Sequence, residues 1–321
     1  MDVFLGIDVG SVSTNLAALD STGKVLATVY LRTGGGPIKA IQQGVAELRG
    51  KLPDSAQVLG VGATGSARTL TGALIGADVV KNEITAHAVA DCALAPAART
   101  IIEIGGQDSK IILVRDGVPV DFAMNTVCAA GTGSFLDHQA ERLGVPIEDF
   151  GDYALRARQA VRIAGRCTVF AESDMIHKQQ LGVPREELIR GLCEALMRNY
   201  LTNIAKGKEL LPPVVFEGGV AANKGIRKAF EEALGLEVIV PEYHGVMGAI
   251  GAAMLAQEEY VAKGAPTRFK GFELAEAAFT AKVFECEGCS NYCEITSVYE
   301  GETLIGRWGG RCGRWDLSRT R

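Results

Sequence analysis

Three short runs put glycines directly after an apolar stretch: Gly6-Ile7-Asp8-Val9-Gly10-Ser11-Val12-Ser13-Thr14, Glu103-Ile104-Gly105-Gly106-Gln107-Asp108-Ser109-Lys110 and Phe216-Glu217-Gly218-Gly219-Val220-Ala221-Ala222-Asn223. Backbone N–H groups hold a phosphate chain only where the main chain comes close, which favours glycine, and Ser or Thr hydroxyls add donors around the oxygens. Gly10, Ser11, Ser13 and Thr14 meet that need. Asp8 and Asp108, at two of the tips, could hold Mg²⁺ through its waters and offset charge as a phosphate leaves, with Glu103 as a further carboxylate. Any one such loop alone is more often an ordinary turn; three at strand ends imply a nucleotide cleft.

The cysteines form a second constellation. Cys128 stands in Asn125-Thr126-Val127-Cys128-Ala129-Ala130-Gly131-Thr132-Gly133-Ser134 and Cys167 in Gly165-Arg166-Cys167-Thr168-Val169-Phe170-Ala171-Glu172-Ser173, each just before a helical pattern. Free N–H groups and partial positive charge at a helix start favour an anionic thiolate cluster. Two ligands per chain cannot complete the Cys₄ shell of a cubane, but a twofold dimer presents the pair twice. The two thiols also read as small buried hydrophobes, and spacing alone leaves both readings open. Cys92 and Cys193, in helical and apolar surroundings, read as core residues. Cys286-x₂-Cys289-x₃-Cys293 followed by Cys312 is a four-thiolate set at metal-ligand spacing, open to zinc, to a second [4Fe-4S] cluster, or to free thiols in a tail.

These residues need a scaffold that mixes strands and helices. Val3–Ile7 and Leu16–Leu19 read as a hairpin with a glycine and hydroxyl tip, Val25–Leu31 as a further strand, and Ile38, Ile41, Val45 and Leu48 as the apolar stripe of a helix. Thr100–Ile104 and Ile111–Arg115 repeat the hairpin, Pro213–Glu217 gives a third strand running into glycines, and residues 137–205 are mostly helical by pattern. After residue 264 the composition shifts to four cysteines, both tryptophans and a hairpin pattern around Glu300-Gly301. His87 and His244 read as structural histidines.

The 321 residues, 47% hydrophobic, suffice for two domains. A net charge of −5 lacks the basic excess that phosphate backbones require, so nucleic-acid binding is not expected. No run approaches the roughly 18 apolar residues of a membrane span. The expected compartment is the cytoplasm, where eight cysteines read as thiols or ligands rather than disulfides.

The three glycine runs, in this order, resemble the actin/Hsp70/sugar-kinase ATPase superfamily, and the runs beginning at Cys128 and Cys167 closely resemble those of 2-hydroxyacyl-CoA dehydratase activators and BadF/BadG-type benzoyl-CoA reductase subunits, from about residue 2 to 257. The resemblance implies an α/β fold of two ribonuclease-H-like domains around an ATP cleft: residues 1–90 with 240–263, residues 91–239 carrying the cluster helices, and a cysteine-rich appendix at 264–321. It implies that the first two loops, with Asp8, Gly10, Ser11, Ser13, Thr14, Glu103, Gly105, Gly106, Gln107, Asp108, Ser109 and Lys110, hold phosphates and metal, and that Gly218, Gly219, Val220 and Asn223 border the adenosine. Several members place Lys after the first-loop hydroxyls; Asn15 stands there in this chain. The resemblance further implies ATP/ADP and Mg²⁺, a homodimer whose Cys128 and Cys167 bridge one [4Fe-4S] cluster, and helices flanking the cluster whose angle ATP changes. The implied role is an ATPase that passes a low-potential electron from a donor such as ferredoxin or flavodoxin to an iron–sulfur acceptor: a dehydratase, benzoyl-CoA reductase or double-cubane-cluster protein. A small-molecule kinase using Asp108 as its base, and a redox-sensing ATP-binding regulator, are the alternatives on the same fold.

Overall fold

The computed structural model describes residues 1–125 and 128–317. In chain order the elements begin with β1 (Asp2–Val9), β2 (Ser13–Asp20), β3 (Val25–Arg32), α1 (Pro37–Lys51), β4 (Gln57–Thr64), α2 (Arg68–Ile75), β5 (Val79–Val80) and α3 (Glu83–Leu94). There follow β6 (Thr100–Ile104), β7 (Ser109–Arg115), β8 (Val118–Asn125), α4 (Gly133–Leu143), α5 (Ile147–Arg156), α6 (Thr168–Gln180), α7 (Arg185–Asn203), β9 (Val214–Glu217), α8 (Lys224–Leu234) and β10 (Val238–Ile239). The last are α9 (Met247–Lys263), β11 (Phe279–Glu285), β12 (Glu294–Glu300) and β13 (Thr303–Trp308). No helix among the described residues is long and apolar enough to cross a membrane.

Two compact units result, Met1–Ala90 with Gly248–Arg321, and Asp91–Met247. Each holds a five-stranded sheet of the same plan, in order β3-β2-β1-β4-β5 and β10-β9-β6-β7-β8. In both, two antiparallel hairpin connections precede a strand that returns parallel to the first. The glycine tips of β1–β2 and β6–β7 therefore occupy equivalent corners of their sheets.

In the first unit Val3, Leu5, Ile7 and Val9 of β1 pack with Ile41, Val45 and Leu48 of α1, burying the stripe expected from the sequence. Helix α9 lies so close to the sheet that only glycine fits below it. A Cβ on Gly6 would fall 1.8 Å from the Ala249 carbonyl oxygen, and one on Gly62 2.0 Å from that of Ala252. Gly6 and Gly62 are paired in register across β1 and β4, which makes one flat seat.

The second unit has a larger core, in which Phe150, Ile189, Leu192, Leu196, Tyr200, Phe216 and Phe230 are fully buried. The C-terminal strands form a separate three-stranded antiparallel sheet, β11-β12-β13, grouped with the first unit. The sequence reading finds β12 and β13 but not β11 or β8. Val118, Val120, Phe122 and Met124 do alternate along β8, but both strands are solvent-facing along most of their length, so their apolar side chains mark no buried face.

Candidate functional site

In the first unit, β1 delivers Asp8 to the sheet edge and the tip closes through Gly10 N–H donating to the Ser13 carbonyl at 2.8 Å. Thr33 Oγ1 donates to the Gly10 carbonyl (2.9 Å) and lies 3.0 Å from Thr14 Oγ1. Thr14 is fully buried and so braces the loop, while Ser11 is exposed and Gly10 and Ser13 half-buried.

The Asp8 carboxylate sits in a glycine cradle. A Cβ on Gly65 would fall 2.4 Å from Oδ1, and one on Gly248 2.3 Å from Oδ2 and 3.0 Å from His87 Nε2. Gly65 has φ +89, which other residues adopt only under strain. Asn15 faces Asp8 across the β1–β2 register and is 7% exposed, and among the described residues neither its Oδ1 nor the Oγ1 of fully buried Thr64 has a partner. Leaving such atoms unmet costs about 1–3 kcal/mol each, so the corner is built to receive a polar ligand. Thr64, Gly65 and Gly248 escape sequence reasoning because their roles depend on close approach between distant segments.

In the second unit, Lys110 is 2% exposed and its Nζ donates to Glu103 Oε2 (2.8 Å) and Asp108 Oδ1 (3.0 Å). Lys110 thus neutralises and orients two carboxylates. Tyr200 OH donates to the Lys110 carbonyl at 2.6 Å; its hydroxyl is held well above the usual titration range by burial, then by the charges of Glu103 and Glu217. Glu217, fully buried and opposite Glu103 in the β6–β9 register, is a further acidic group that the sequence shows only as the end of an apolar run. Ser109 Oγ is buried without a partner among the described residues, and Gln107 is exposed at the tip.

A Cβ on Gly218 (φ +86) would fall 2.4 Å from the Ile104 carbonyl oxygen and 2.8 Å from Glu103 Oε1. His244 fixes this turn from both sides: Gly218 N–H donates to the His244 carbonyl (2.8 Å), and His244 Nδ1 lies 3.1 Å from the Gly218 oxygen. Gly219 is exposed and Val220 buried. Asn223 caps α8 by accepting from Gly225 and Ile226 N–H, and its Nδ2 has no partner among the described residues.

The cysteine loops of the second unit are wired to the same hairpin. Thr126 and Val127 lie outside the described residues. Asn125 clamps Cys128 reciprocally, its Oδ1 accepting from the Cys128 N–H (3.1 Å) and its Nδ2 donating to the Cys128 carbonyl (2.8 Å). After a 3-10 turn at Ala129–Gly131, α4 begins, and the N–H groups of Gly133 and Ser134 donate to the carbonyls of Gly105 and Gly106, both at 2.8 Å. Cys167 is the N-cap of α6, without a side-chain capping bond, as its position before the helical pattern implies. Both thiols are half-buried.

Helix α7 spans the two cysteine loops. Asn199 Nδ2 donates to the Gly165 carbonyl at 2.5 Å, and a Cβ on Gly131 would lie 2.9 Å from Asn199 Oδ1. Arg142 of α4 pairs with Glu172 of α6 at 2.7 Å. Beside Cys167, Val169 and Phe170 are 66% and 65% exposed. Cys193 is buried on α7, which pushes its thiol far above the ordinary range, and Cys92 is raised by burial and by Asp91.

The C-terminal thiols lie on two loops at one end of the small sheet: Cys286, Cys289 and Cys293 between β11 and β12, and Cys312 after β13. Trp315 Nε1 donates to Cys286 Sγ at 3.1 Å; this bond, then the Gly288 N–H, holds that thiol below its usual range. Among the described residues, no three His, Cys, Asp or Glu side chains stand as a closed ligand set.

The carboxylates, glycine cradles and unmet buried donors and acceptors suit phosphate and Mg²⁺. The two thiols suit half of an iron–sulfur shell. Residues 5–256 match the BadF/BadG/BcrA/BcrD ATPase family. The (R)-2-hydroxyglutaryl-CoA dehydratase activating ATPase of Acidaminococcus fermentans is 34% identical over 258 residues, 79% of this chain and 97% of that protein. A solved activator of the 2-hydroxyisocaproyl-CoA dehydratase from Clostridium difficile, with bound ADPNP, superposes with a TM-score of 0.76 at 30% identity, covering 82% of this chain and 97% of that one. Component A of the Acidaminococcus fermentans dehydratase does so with a TM-score of 0.73 at 32% identity, covering 81% of this chain and all of its own. With four-fifths of its length matched in sequence and fold, and the loops that carry the resemblance in place, this chain belongs to the BadF/BadG/BcrA/BcrD ATPase family.

Proposed function

We propose that this chain is an ATP-dependent activator that delivers a low-potential electron to an iron–sulfur acceptor, of the kind represented by 2-hydroxyacyl-CoA dehydratases, benzoyl-CoA reductases or double-cubane-cluster proteins. The chemistry on the organic substrate belongs to that partner. A ferredoxin or flavodoxin in the cytoplasm would supply the electron.

The observation that carries the reading is the direct linkage of a phosphate loop to a cysteine-bearing segment. Gly105 and Gly106 accept from the first N–H groups of α4, and Cys128 lies one short turn upstream. A shift of the Gly105–Asp108 loop on gaining or losing a γ-phosphate would therefore pull on the base of α4. Asn199 and the Arg142–Glu172 pair extend that pull toward Cys167 and α6.

In this reading Asp8 and Asp108 hold Mg²⁺ through its waters, and Lys110 Nζ holds Asp108 and Glu103 in place. Gly10, Ser11, Ser13, Gly105, Gly106, Gln107 and Ser109 supply phosphate donors, and Gly218, Gly219, Val220 and Asn223 border the adenosine. Cys128 and Cys167 from two copies of the chain hold one [4Fe-4S] cluster, which stores and passes the electron. The exposed Val169 and Phe170 beside Cys167 supply apolar surface for that homodimer. ATP must bind the transfer-competent dimer better than the resting one, since equal binding shifts nothing.

The test is anaerobic turnover. Reduced, iron-reconstituted protein should hydrolyse Mg-ATP and reduce an iron–sulfur acceptor only while ATP is consumed. ADP release that needs a small hydroxyl compound and ignores iron would make the chain a kinase. Negligible hydrolysis in the reduced state with an acceptor present would make it a regulator.

A further inference from the structure

The C-terminal sheet is short of core. Along β11 every residue from Thr280 to Glu285 is exposed, including Val283 at 63%, and in β12 the buried side chains are Ile295, Ser297 and Val298. A three-stranded sheet with so little apolar burial needs a staple, and in small domains that is a disulfide or a structural metal. Its other end is already anchored. Gln42 Nε2 donates to the carbonyls of Leu274, Ala275 and Ala277, and Lys270 N–H donates to the Ile75 carbonyl.

The two loops at the free end carry all four cysteines. The β11–β12 loop is closed by the Cys286 N–H donating to the Cys293 carbonyl at 2.8 Å, with Tyr292 N–H reaching the Cys289 carbonyl at 3.3 Å. The loop carrying Cys312 folds back onto it, because Arg307 and Leu317 exchange N–H···O bonds in both directions. Trp315 then lies edge-on to Phe284 at 5.2 Å and bonds the Cys286 sulfur. Asn291 Nδ2 lies 3.6 Å from Cys289 Sγ. N–H groups aimed at cysteine sulfurs are what an outer shell supplies to metal thiolates. Arg307 and Arg314 stand over the Trp315 ring at 5.5 and 5.9 Å, and with Arg311 beside Cys312 they would offset the net negative charge of a tetrathiolate. The segment lies beyond the family match, which ends at residue 256.

We propose that Cys286, Cys289, Cys293 and Cys312 form a tetrathiolate site for one zinc ion that closes the free end of the C-terminal sheet. Among the described residues the four thiols do not form a closed shell; binding of the ion would draw the two loops together. A redox-inert d¹⁰ ion fits a staple whose task is structural, since binding free energy there becomes folding free energy.

The test uses the full chain with Cys128→Ser and Cys167→Ser, so that iron at the other cysteines cannot confuse the result. Purified without added metal, it should hold about one zinc per chain. Cobalt exchange should give thiolate-to-cobalt charge-transfer bands with tetrahedral d–d bands. Trp315→Leu should weaken metal retention about 10-fold, as loss of an outer-shell partner does, and Cys312→Ser should weaken it further, with Cys312→His restoring part. Iron with labile sulfide in this background would overturn the zinc assignment. Failure to bind any metal, with all four thiols freely alkylated in the folded chain, would overturn the site itself.

Discussion

Cys128 and Cys167 stand on a braced frame, whereas the four C-terminal cysteines hang on loops of a sheet with little core of its own. Around the first pair, Asn125, Asn199 and the first turn of α4 tie each loop to buried structure, and Tyr200 ties the same helix, α7, to β7. In the proposed reading the pair is well braced but supplies only two of the four thiols a cubane needs. The C-terminal set has enough thiols but weak support. A site that must respond to nucleotide needs mechanical connection to the phosphate loop and can borrow ligands from a second copy. A site that only holds a fold together needs its full complement in one chain.

The comparison can be broken at either end. The largest effect is expected for Cys128→Ser or Cys167→Ser, which should remove all bridging iron, read by metal analysis, while Mg-ATP binding by calorimetry stays within about 2-fold, because neither thiol belongs to the phosphate corner. Lost nucleotide binding would reduce them to core residues. Lys110→Met should come next. It strands Glu103 and Asp108 beside each other and should cost about 3–5 kcal/mol in urea denaturation, with ATP hydrolysis falling as well. Asn199→Ala leaves the Gly165 carbonyl without its donor, a loss of about 1–3 kcal/mol; it should also blunt the change in cluster spectrum on adding ATP, which a purely structural residue would leave intact. The smallest effect concerns Cys193. Burial raises its thiol in the folded chain, so alkylation at pH 8 should leave it untouched, while in urea it returns to the ordinary range near 8.5 and reacts.

Much of this frame is legible in the sequence. Apolar runs ending in glycine give both phosphate hairpins, and the switch to helical spacing after Thr168 puts Cys167 at a helix start. The carboxylate cradle is not legible. Gly65 and Gly248 press on Asp8 from segments far apart in the chain, and His87, a structural histidine by its surroundings in sequence, stands at the same corner. Lys110 reads as a phosphate ligand because it ends a glycine run, yet its Nζ is occupied by Glu103 and Asp108. Asn199 and Tyr200 are ordinary positions on an amphipathic helix until the register of β7 and the turn at Gly165 are known. Strands β8 and β11 go unread although Val118, Val120, Phe122 and Met124 alternate along β8; the apolar side chains of both strands are largely exposed and belong to no core face.

We propose that one cluster is shared by two chains. Its most direct test is the iron, sulfide and mass of the anaerobically reconstituted protein in one chromatographic peak. The account predicts about four iron and four sulfide per two chains at Cys128 and Cys167, measured with Cys286, Cys289, Cys293 and Cys312 replaced by serine, and dissociation to monomer when the cluster is stripped. An iron-free, colourless monomer after reconstitution would contradict it.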